Sequence, residues 1–268
     1  MKVVCLQMCS GTDVDRNLTT ADSLLKQAAD EGAELALLPE NFAYMSADDA
    51  EKQAIAEPES SSRVLEFLSR QAAELGMGVI GGSVALTSDA PDKIRNACFA
   101  FDSKGVQIGS YDKMHLFDVE LEHETYCESA VVVAGDKPEI VNVKDWNIGL
   151  TICYDLRFPE LFRHYSACGC NLYTVPAAFT VPTGMAHWET LLRVRAIENQ
   201  AYVLAAAQNG IHPGGRETWG HSMIIDPWGD VLAKLDEGVG IIFADLDLQF
   251  LHQVRHALPA LQHRRMEG

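Results

Sequence analysis

Short apolar strand segments that alternate with helical segments most constrain the fold of this chain. Residues 3–8 and 35–38 are almost wholly apolar, as strands buried on both faces are. The segment between them has the helical spacing of Leu18, Ala21, Leu25, Ala28 and Ala29. Gly32 then favours the end of that helix. This alternation predicts an α/β architecture, with helices layered on a sheet.

The remaining segments extend the same pattern and add hairpins. Helices are predicted from Ser62 to Gly76, from Cys153 to about Ala167, and over residues 185–200 with Leu191, Leu192, Val194, Ala196 and Ile197 buried. Strands are predicted over residues 77–86, 95–102, 106–111, 171–175, 202–208, 222–226, 231–235 and 240–246, with a tight turn at 227–230. No linker separates two halves, so one domain over residues 1–268 is expected.

The charge of the chain excludes one class of partner. The formal net charge is −17 and the pI is near 4.8, whereas phosphate binding requires clustered lysine and arginine. A nucleic-acid partner is therefore not expected. No run of 18 apolar residues occurs, so no membrane span is predicted either.

The seven cysteines are scattered and odd in number, unlike a disulfide framework. They indicate a reducing compartment, and the expected location is the cytoplasm. Cys168 and Cys170 lack a second cysteine or histidine pair at structural-zinc spacing, so no metal is expected. No glycine-rich phosphate loop or dinucleotide fingerprint is present, and no organic cofactor is implied.

Residues 147–161 place one cysteine between a strand and a helix. Ile148, Leu150 and Ile152 alternate with small residues, and Pro159 suits the first turn of a helix. Cys153 lies at the junction, where the backbone N–H of Tyr154 could meet developing negative charge. Such a cysteine can be a nucleophile, although most cysteines after an apolar run are buried fillers.

Two further charged residues follow probable strands. Glu40 comes directly after residues 35–38, and Lys113 comes directly after residues 106–111. Either could be an ordinary surface charge in a loop. Residues 116–135 lack clear periodicity, which is typical of a functional loop. Four acidic residues in this loop are predicted to form a solvated face: Asp118, Glu120, Glu122 and Glu124.

Glu40, Lys113 and Cys153, in this chain order and each within its local signature, resemble the nitrilase superfamily of carbon–nitrogen hydrolases. The resemblance covers nearly the whole chain and is closest to the amidase branch known for deaminated glutathione. It implies a four-layer αββα sandwich. It also implies that Cys153 attacks an amide carbonyl as a low-pKa nucleophile, Glu40 acts as general base, Lys113 stabilises the oxyanion and Glu128 supports them.

The same resemblance implies a small carboxylate-bearing amide as substrate and a homodimer or higher homo-oligomer. α-Ketoglutaramate, N-carbamoyl amino acids and nitriles stay open as rival substrates. Candidate substrate-binding residues are Tyr154, Arg157, Phe179 and His187, with Arg216 a weaker candidate. Pairing of the subunits is expected through residues 158–167 and 185–200, with residues 258–265 packing across. Phe158, Leu161, Phe162 and Tyr165 share the flank expected to meet the partner.

Other functions remain possible from the sequence. Gly220-His221-Ser222-Met223 lacks the pattern of a serine nucleophile elbow. A Cys–His dyad with His115 or His187 stays open, as does a binding protein that keeps the fold without catalysis.

Overall fold

The computed structural model of the protein describes residues 1–46, 48, 50–120 and 125–266. The helices are α1 (Val14–Asp30), α2 (Glu51–Ile55), α3 (Arg63–Leu75), α4 (Pro159–Ala167), α5 (Val181–Asn199) and α6 (Leu248–Ala257). The strands are β1 (Lys2–Gln7), β2 (Leu35–Leu37), β3 (Gly78–Ile80), β4 (Val84–Thr87), β5 (Ile94–Phe101), β6 (Gln107–Asp112), β7 (Asp118–Glu120), β8 (Thr125–Cys127), β9 (Ile140–Val143), β10 (Trp146–Leu150), β11 (Leu172–Ala177), β12 (Tyr202–Ala207), β13 (Asn209–Ile211), β14 (Glu217–Trp219), β15 (Ser222–Ile225), β16 (Val231–Leu235) and β17 (Gly240–Asp245). Short 3₁₀ turns lie at Glu59–Ser61, Glu128–Ala130, Cys153–Arg157 and Pro213–Gly215.

Two mixed sheets form the centre of the molecule. The first has the strand order β17-β1-β2-β3-β5-β4, with β6 paired to β5. The second has the order β16-β15-β12-β11-β10-β9, and its central strands β10, β11 and β12 are parallel. Parallel strands end at the same edge of a sheet, so the residues after β10 and β11 lie side by side.

Alternation along β1 divides the interior into two apolar layers. Val3 and Cys5 pack into the layer between the two sheets, whereas Val4 and Leu6 pack beneath α1 and α3. The second sheet presents its other face to α4 and α5. Because successive residues of a strand point to opposite faces, one apolar strand can serve both layers. The αββα sandwich expected from the resemblance is confirmed.

The ends of α3 and the start of α4 agree with the capping residues predicted from the sequence. Ser62 caps α3 by accepting a hydrogen bond from the N–H of Leu65 at 3.4 Å, and Gly76 ends the helix with φ of 61°. Pro159 begins α4, where its missing N–H costs nothing. The helix predicted from Cys153 is divided, because the 3₁₀ turn ends at Arg157 and Phe158 separates it from α4.

The single strand predicted over residues 77–86 is wrong, since β3 and β4 are separated at Gly81–Ser83. Gly82 has φ of 57°, and a Cβ there would lie 2.0 Å from the carbonyl oxygen of Pro39. Only glycine permits this close approach. The segment between β3 and β4 therefore packs against the turn that carries Glu40. The hydroxyl of Ser83 also accepts a hydrogen bond from the N–H of Asn41 at 3.1 Å.

Two predictions of exposure need correction. Val194 and Ile197 on α5 are 39% and 48% exposed rather than buried, because α5 turns this side away from the second sheet. By contrast, Leu161, Phe162 and Tyr165 on α4 are buried in the chain's own core and cannot form an outer flank.

The segment 116–135 is also more regular than expected, since β7 pairs with β8. Asp118 and Glu120 are exposed, as predicted, while Glu122 and Glu124 lie outside the described residues.

Candidate active site

Cys153 occupies a strained position at the edge of the second sheet. It follows β10, opens the 3₁₀ turn and has φ of 50°, a left-handed conformation that non-glycine residues seldom adopt. Such strain often marks functional positions. Within the described residues, the N–H of Tyr154 has no hydrogen-bond partner, so it remains available beside the thiol.

Glu40 and Lys113 reach the same point from the first sheet. The Nζ of Lys113 donates to Oε1 of Glu40 at 2.9 Å, and the thiol of Cys153 is a hydrogen-bonding neighbour of the same carboxylate. The N–H of Ala178, just past β11, donates to Oε2 of Glu40 at 3.0 Å. The three side chains are therefore one contiguous buried cluster.

Glu128 completes the surroundings of the lysine. Nζ of Lys113 lies 3.0 Å and 2.8 Å from its two carboxylate oxygens, and the N–H of Phe117 donates to Oε2 at 2.7 Å. Asn96 bridges both glutamates, since its Nδ2 donates to Oε1 of Glu40 at 3.2 Å and to Oε1 of Glu128 at 3.1 Å. The lysine is held between two carboxylates with little freedom to move.

The charges of this cluster follow from the pKa shifts. Burial raises the pKa of the Glu40 carboxyl, but the Lys113 ammonium and hydrogen bonds from Cys153 and Lys113 outweigh it, so the pKa falls below its usual value. Burial lowers the pKa of Lys113, yet Glu128 and Glu40 raise it well above its usual value. Glu40 and Lys113 are thus charged at neutral pH.

The Cys153 thiol behaves differently from the expectation of a low-pKa nucleophile. Burial and the Glu40 carboxylate raise its pKa well above the usual value, and Lys113 offsets only part of this. The resting thiol is therefore neutral. A nucleophilic role for this sulfur would require a base to take its proton, and Glu40 is the carboxylate that contacts it.

A second network fixes the two loops that carry Lys113 and Cys153. Asp155 is fully buried and its Oδ2 accepts from the hydroxyl of Tyr111 and the N–H of Ile152, both at 2.8 Å. Its Oδ1 lies 2.6 Å from Nδ1 of His115 and accepts from the N–H of that residue at 3.1 Å. One carboxylate thus joins the segment after β6 to the turn after β10.

The cluster opens into a cavity whose empty space, including the part open to solvent, is about 430 Å³. Arg157 lies over the rings of Tyr154 and Phe179, at 5.8 Å and 5.4 Å from their centroids. All three line the cavity, as do Arg216 and Lys52. His187 does not line it in the described part of the chain: it is exposed and lies behind Arg157, with Nδ1 at 3.3 Å from Nη1.

The structure adds residues that the sequence analysis missed. Asn96 is an amide within the apolar strand β5, a weak signal that could have marked it. Asp155 and Lys52 had no distinguishing signal, because an acidic residue in a turn and a lysine in a short helix are normally solvated.

The rival nucleophilic arrangements have other partners. Ser222 is fully buried, where its hydroxyl donates to Gln7 at 2.9 Å. His115 pairs with Asp155 and stacks on Phe158, with ring centroids 3.7 Å apart. Among the described residues, no group of three His, Cys, Asp or Glu side chains is placed to hold a metal ion. No described helix has the length and apolar character needed to cross a membrane.

Comparisons with known proteins agree with this geometry. The chain is 42% identical over 268 residues to the human protein named deaminated glutathione amidase, covering 98% of this chain and 82% of that one. Nit3 from Saccharomyces cerevisiae, described as a member of the nitrilase superfamily, superposes with a TM-score of 0.90 at 31% identity, covering 99% of this chain and 97% of that one.

A further solved structure is an amidase from Nesterenkonia, a glutamate-to-glutamine mutant in which acrylamide has added to the active-site cysteine. It has a TM-score of 0.81 at 26% identity, covering 98% of this chain and 99% of that one. The carbon-nitrogen hydrolase family matches residues 2–256. The chain therefore belongs to the carbon-nitrogen hydrolase family, as an amidohydrolase of the nitrilase superfamily.

Proposed function

We propose that the protein hydrolyses a small carboxylate-bearing amide through a thioester on Cys153. The observation that carries this proposal is the buried contact of Glu40, Lys113 and Cys153 at the floor of one cavity. The cysteine adduct in the Nesterenkonia amidase supports a cysteine nucleophile.

In the first half-reaction, Glu40 takes the thiol proton as sulfur attacks the carbonyl carbon, and the carbonyl electron pair moves to oxygen. Lys113 and the N–H of Tyr154 stabilise that oxyanion, and one such donor contributes about 3–4 kcal/mol. Glu40 then gives its proton to the leaving nitrogen as the C–N bond breaks. The acyl group stays on Cys153 as a thioester.

In the second half-reaction, Glu40 takes a proton from water, which attacks the thioester carbonyl. The C–S bond breaks, the acid leaves, and the thiol regains its proton. Glu128 acts on neither bond. It holds Lys113 in position, since both of its oxygens bond to Nζ.

The substrate that we propose is deaminated glutathione, hydrolysed to α-ketoglutarate and cysteinylglycine. The human relative carries that name. The cations that line the cavity also suit an anionic substrate, which a chain of net charge −17 would otherwise repel. Arg157 is the proposed partner of the α-keto-acid carboxylate, because it lies on the same turn as Cys153. His187 supports Arg157 from behind.

The test is a panel of kcat/KM values for deaminated glutathione, α-ketoglutaramate, an N-carbamoyl amino acid and a nitrile. We expect deaminated glutathione to be better than each rival by about tenfold or more, which corresponds to about 1.4 kcal/mol. If kcat/KM for deaminated glutathione exceeds that for α-ketoglutaramate by less than this, the substrate assignment is contradicted. The amidase mechanism would not be affected by that result.

The mechanism itself is tested with Cys153→Ala, compared with Cys9→Ala at an exposed cysteine outside the cluster. Cys153→Ala should keep a thermal midpoint close to that of the wild type and lose turnover to the background rate, because one thiol is removed with little packing. Cys9→Ala should retain activity. Measurable turnover by purified Cys153→Ala would refute the thioester route.

We further propose a single domain that pairs as a homodimer in the cytoplasm. Two exposed apolar side chains on the outer side of α5 support pairing: Val194 and Ile197. Residues 264–266 lie beside α4. The free state of all seven cysteines in the structure suits a reducing compartment.

A further inference from the structure

Asn96 is a buried polar residue that neither half-reaction uses. It lies on β5 and is only 4% exposed. Its backbone carbonyl accepts a hydrogen bond from the N–H of Lys113 at 2.9 Å. Its Nδ2 donates to Oε1 of Glu40 and to Oε1 of Glu128, the two carboxylates that bind the ammonium of that lysine. One residue therefore holds both the backbone of Lys113 and the two anions around its side chain.

The orientation of this amide has a cost for the fold. Nδ2 has two N–H bonds, one for each glutamate. Within the described part of the chain, Oδ1 of Asn96 is buried and has no hydrogen-bond partner. A buried unpaired acceptor destabilises a protein, but rotation of the amide by 180° would bring Oδ1 against two carboxylates. The glutamates thus determine the orientation, which points to a role in the site rather than in the stability of β5.

Asn96 also determines how the two oxygens of Glu40 are used. Oε1 accepts from Nζ of Lys113 at 2.9 Å and from Nδ2 of Asn96 at 3.2 Å, so both of its lone pairs are engaged. Oε2 accepts from the N–H of Ala178 at 3.0 Å, and the same N–H is a hydrogen-bonding neighbour of the Cys153 sulfur. Oε2 is therefore the oxygen that has a lone pair left for the thiol proton.

We propose that Asn96 is a positioning residue: its amide holds Oε1 of Glu40 against Lys113 and so presents Oε2 to the thiol of Cys153. This inference rests on the proposed role of Glu40 as general base and adds a residue that acts through it. Asn96 is not among the described residues that line the cavity, so it is not expected to touch the substrate. Its effect is therefore expected on kcat rather than on KM.

A pH profile can detect this role because Asn96 carries no charge. Four other ionisable groups surround the Glu40 carboxylate: Lys113, Cys153, Lys52 and Glu128. An apolar residue in place of Asn96 leaves all of these groups present and removes one hydrogen bond to the ionised carboxylate. The pKa of Glu40 should then rise, because a donor favours the charged form. Since the base is lost as pH falls through this pKa, the acid limb of kcat/KM should move to higher pH.

The experiment measures kcat, KM and the pH profile of kcat/KM for the wild type, Asn96→Leu and Asn96→Ala, with the amide of the panel that the wild type hydrolyses best. Leucine fills the space of the amide without a donor, and alanine avoids any overpacking by leucine. Gln71→Leu is the matched control. Nε2 of Gln71 on α3 also donates to a carboxylate, that of Asp22 at 2.8 Å, and its Oε1 is likewise buried without a partner among the described residues. Urea unfolding gives the stability of each protein.

In the wild type, kcat/KM should be flat between about pH 5 and about pH 8, because the pKa of Glu40 lies below its usual value. In both Asn96 variants the midpoint of the acid limb should be higher by about one unit, which one hydrogen bond to a charged group can supply. kcat should fall by about tenfold or more, since a displaced base reacts poorly, whereas KM should stay within about threefold. Gln71→Leu should lose stability and keep the wild-type kcat and midpoint.

An acid limb at the wild-type midpoint in both Asn96 variants would overturn the inference, even with a lower kcat, because the midpoint does not depend on the fraction of folded protein. Failure of both variants to fold would also overturn it, since Asn96 would then serve the fold. If the wild type hydrolyses no member of the panel, the proposed function fails and the inference fails with it. Wild-type turnover with an unchanged midpoint removes the role of Asn96 alone.

Discussion

At the residue scale, Glu40 has two opposed effects on Cys153. In the proposed mechanism its carboxylate accepts the thiol proton during attack, yet its negative charge raises the pKa of that thiol in the resting protein. The thiolate therefore forms together with the tetrahedral intermediate and is not stored beforehand. This arrangement keeps the nucleophile in its less reactive, neutral form until a substrate is bound.

These opposed effects predict that Glu40→Gln separates thiol reactivity from catalysis. Glutamine keeps the shape and removes the negative charge, so the pKa of Cys153 should fall toward that of a thiol beside Lys113 alone. Alkylation of Cys153 by iodoacetamide at pH 7 should therefore become faster than in the wild type, by about tenfold for each unit of pKa change if thiolate population limits the rate. Amidase turnover should disappear.

The measurement is the rate of alkylation at Cys153, followed by mass spectrometry between pH 6 and 10, with Cys9 as an internal reference. In the wild type the rate should still be rising above about pH 8.5, the usual pKa of a thiol. A wild-type plateau below pH 7, or slower alkylation in Glu40→Gln, would contradict the assignment of charges in the cluster.

At the element scale, the active site depends on loops that the two sheets bring together. The sequence was sufficient for the strand ends that precede Glu40, Lys113 and Cys153, because apolar runs and turn residues are local signals. Together with the resemblance to the nitrilase superfamily, the sequence was also sufficient to predict the four layers of helices and sheets. The contact of Ala178 with Glu40 joins residues 138 positions apart, and no local pattern could predict it.

The incorrect predictions from the sequence have physical causes too. The break between β3 and β4 was missed because its reason is tertiary: Gly82 packs on the carbonyl of Pro39. The exposure of Val194 and Ile197 was missed because helical spacing gives an apolar side chain no information on which surface covers it. Asp155 was not recognised, since three of its four contacts are with Tyr111 and His115, which lie at least 40 positions away along the chain.

The Gly82 contact predicts a selective loss of activity in Gly82→Ala. Gly32 is a matched control, because it also has positive φ, of 78°, while a Cβ there would have no atom within 4 Å. Gly32→Ala should lose about 1–2 kcal/mol of stability through its backbone conformation and keep kcat. Gly82→Ala should lose more stability and also lower kcat, because relief of the clash with Pro39 displaces Glu40.

Both variants would be compared by urea unfolding and by kcat with the same amide substrate. Equal losses of stability, with kcat unchanged in Gly82→Ala, would show that this break does not position the general base.

At the scale of the whole molecule, apolar attraction and net charge oppose each other in the proposed dimer. Val194 and Ile197 give α5 an apolar outer side, which favours association. Two chains of net charge −17 repel each other, and salt screens that repulsion. The screening length falls from about 10 Å at 0.1 M salt to about 3 Å at 1 M.

We therefore expect a dimer at micromolar concentration whose dissociation constant decreases as salt increases from 0.05 to 0.5 M. Val194→Glu combined with Ile197→Glu should produce a monomer, because four carboxylates would face one another in the pair, and the cost to the folded monomer should be small since both side chains are already exposed. Val106→Glu, at an exposed valine between β5 and β6, is the control and should remain a dimer. Analytical ultracentrifugation of the three proteins over this salt range provides the measurement. A monomeric wild type at every salt concentration, or a double variant that still pairs, would exclude the outer side of α5 as the interface.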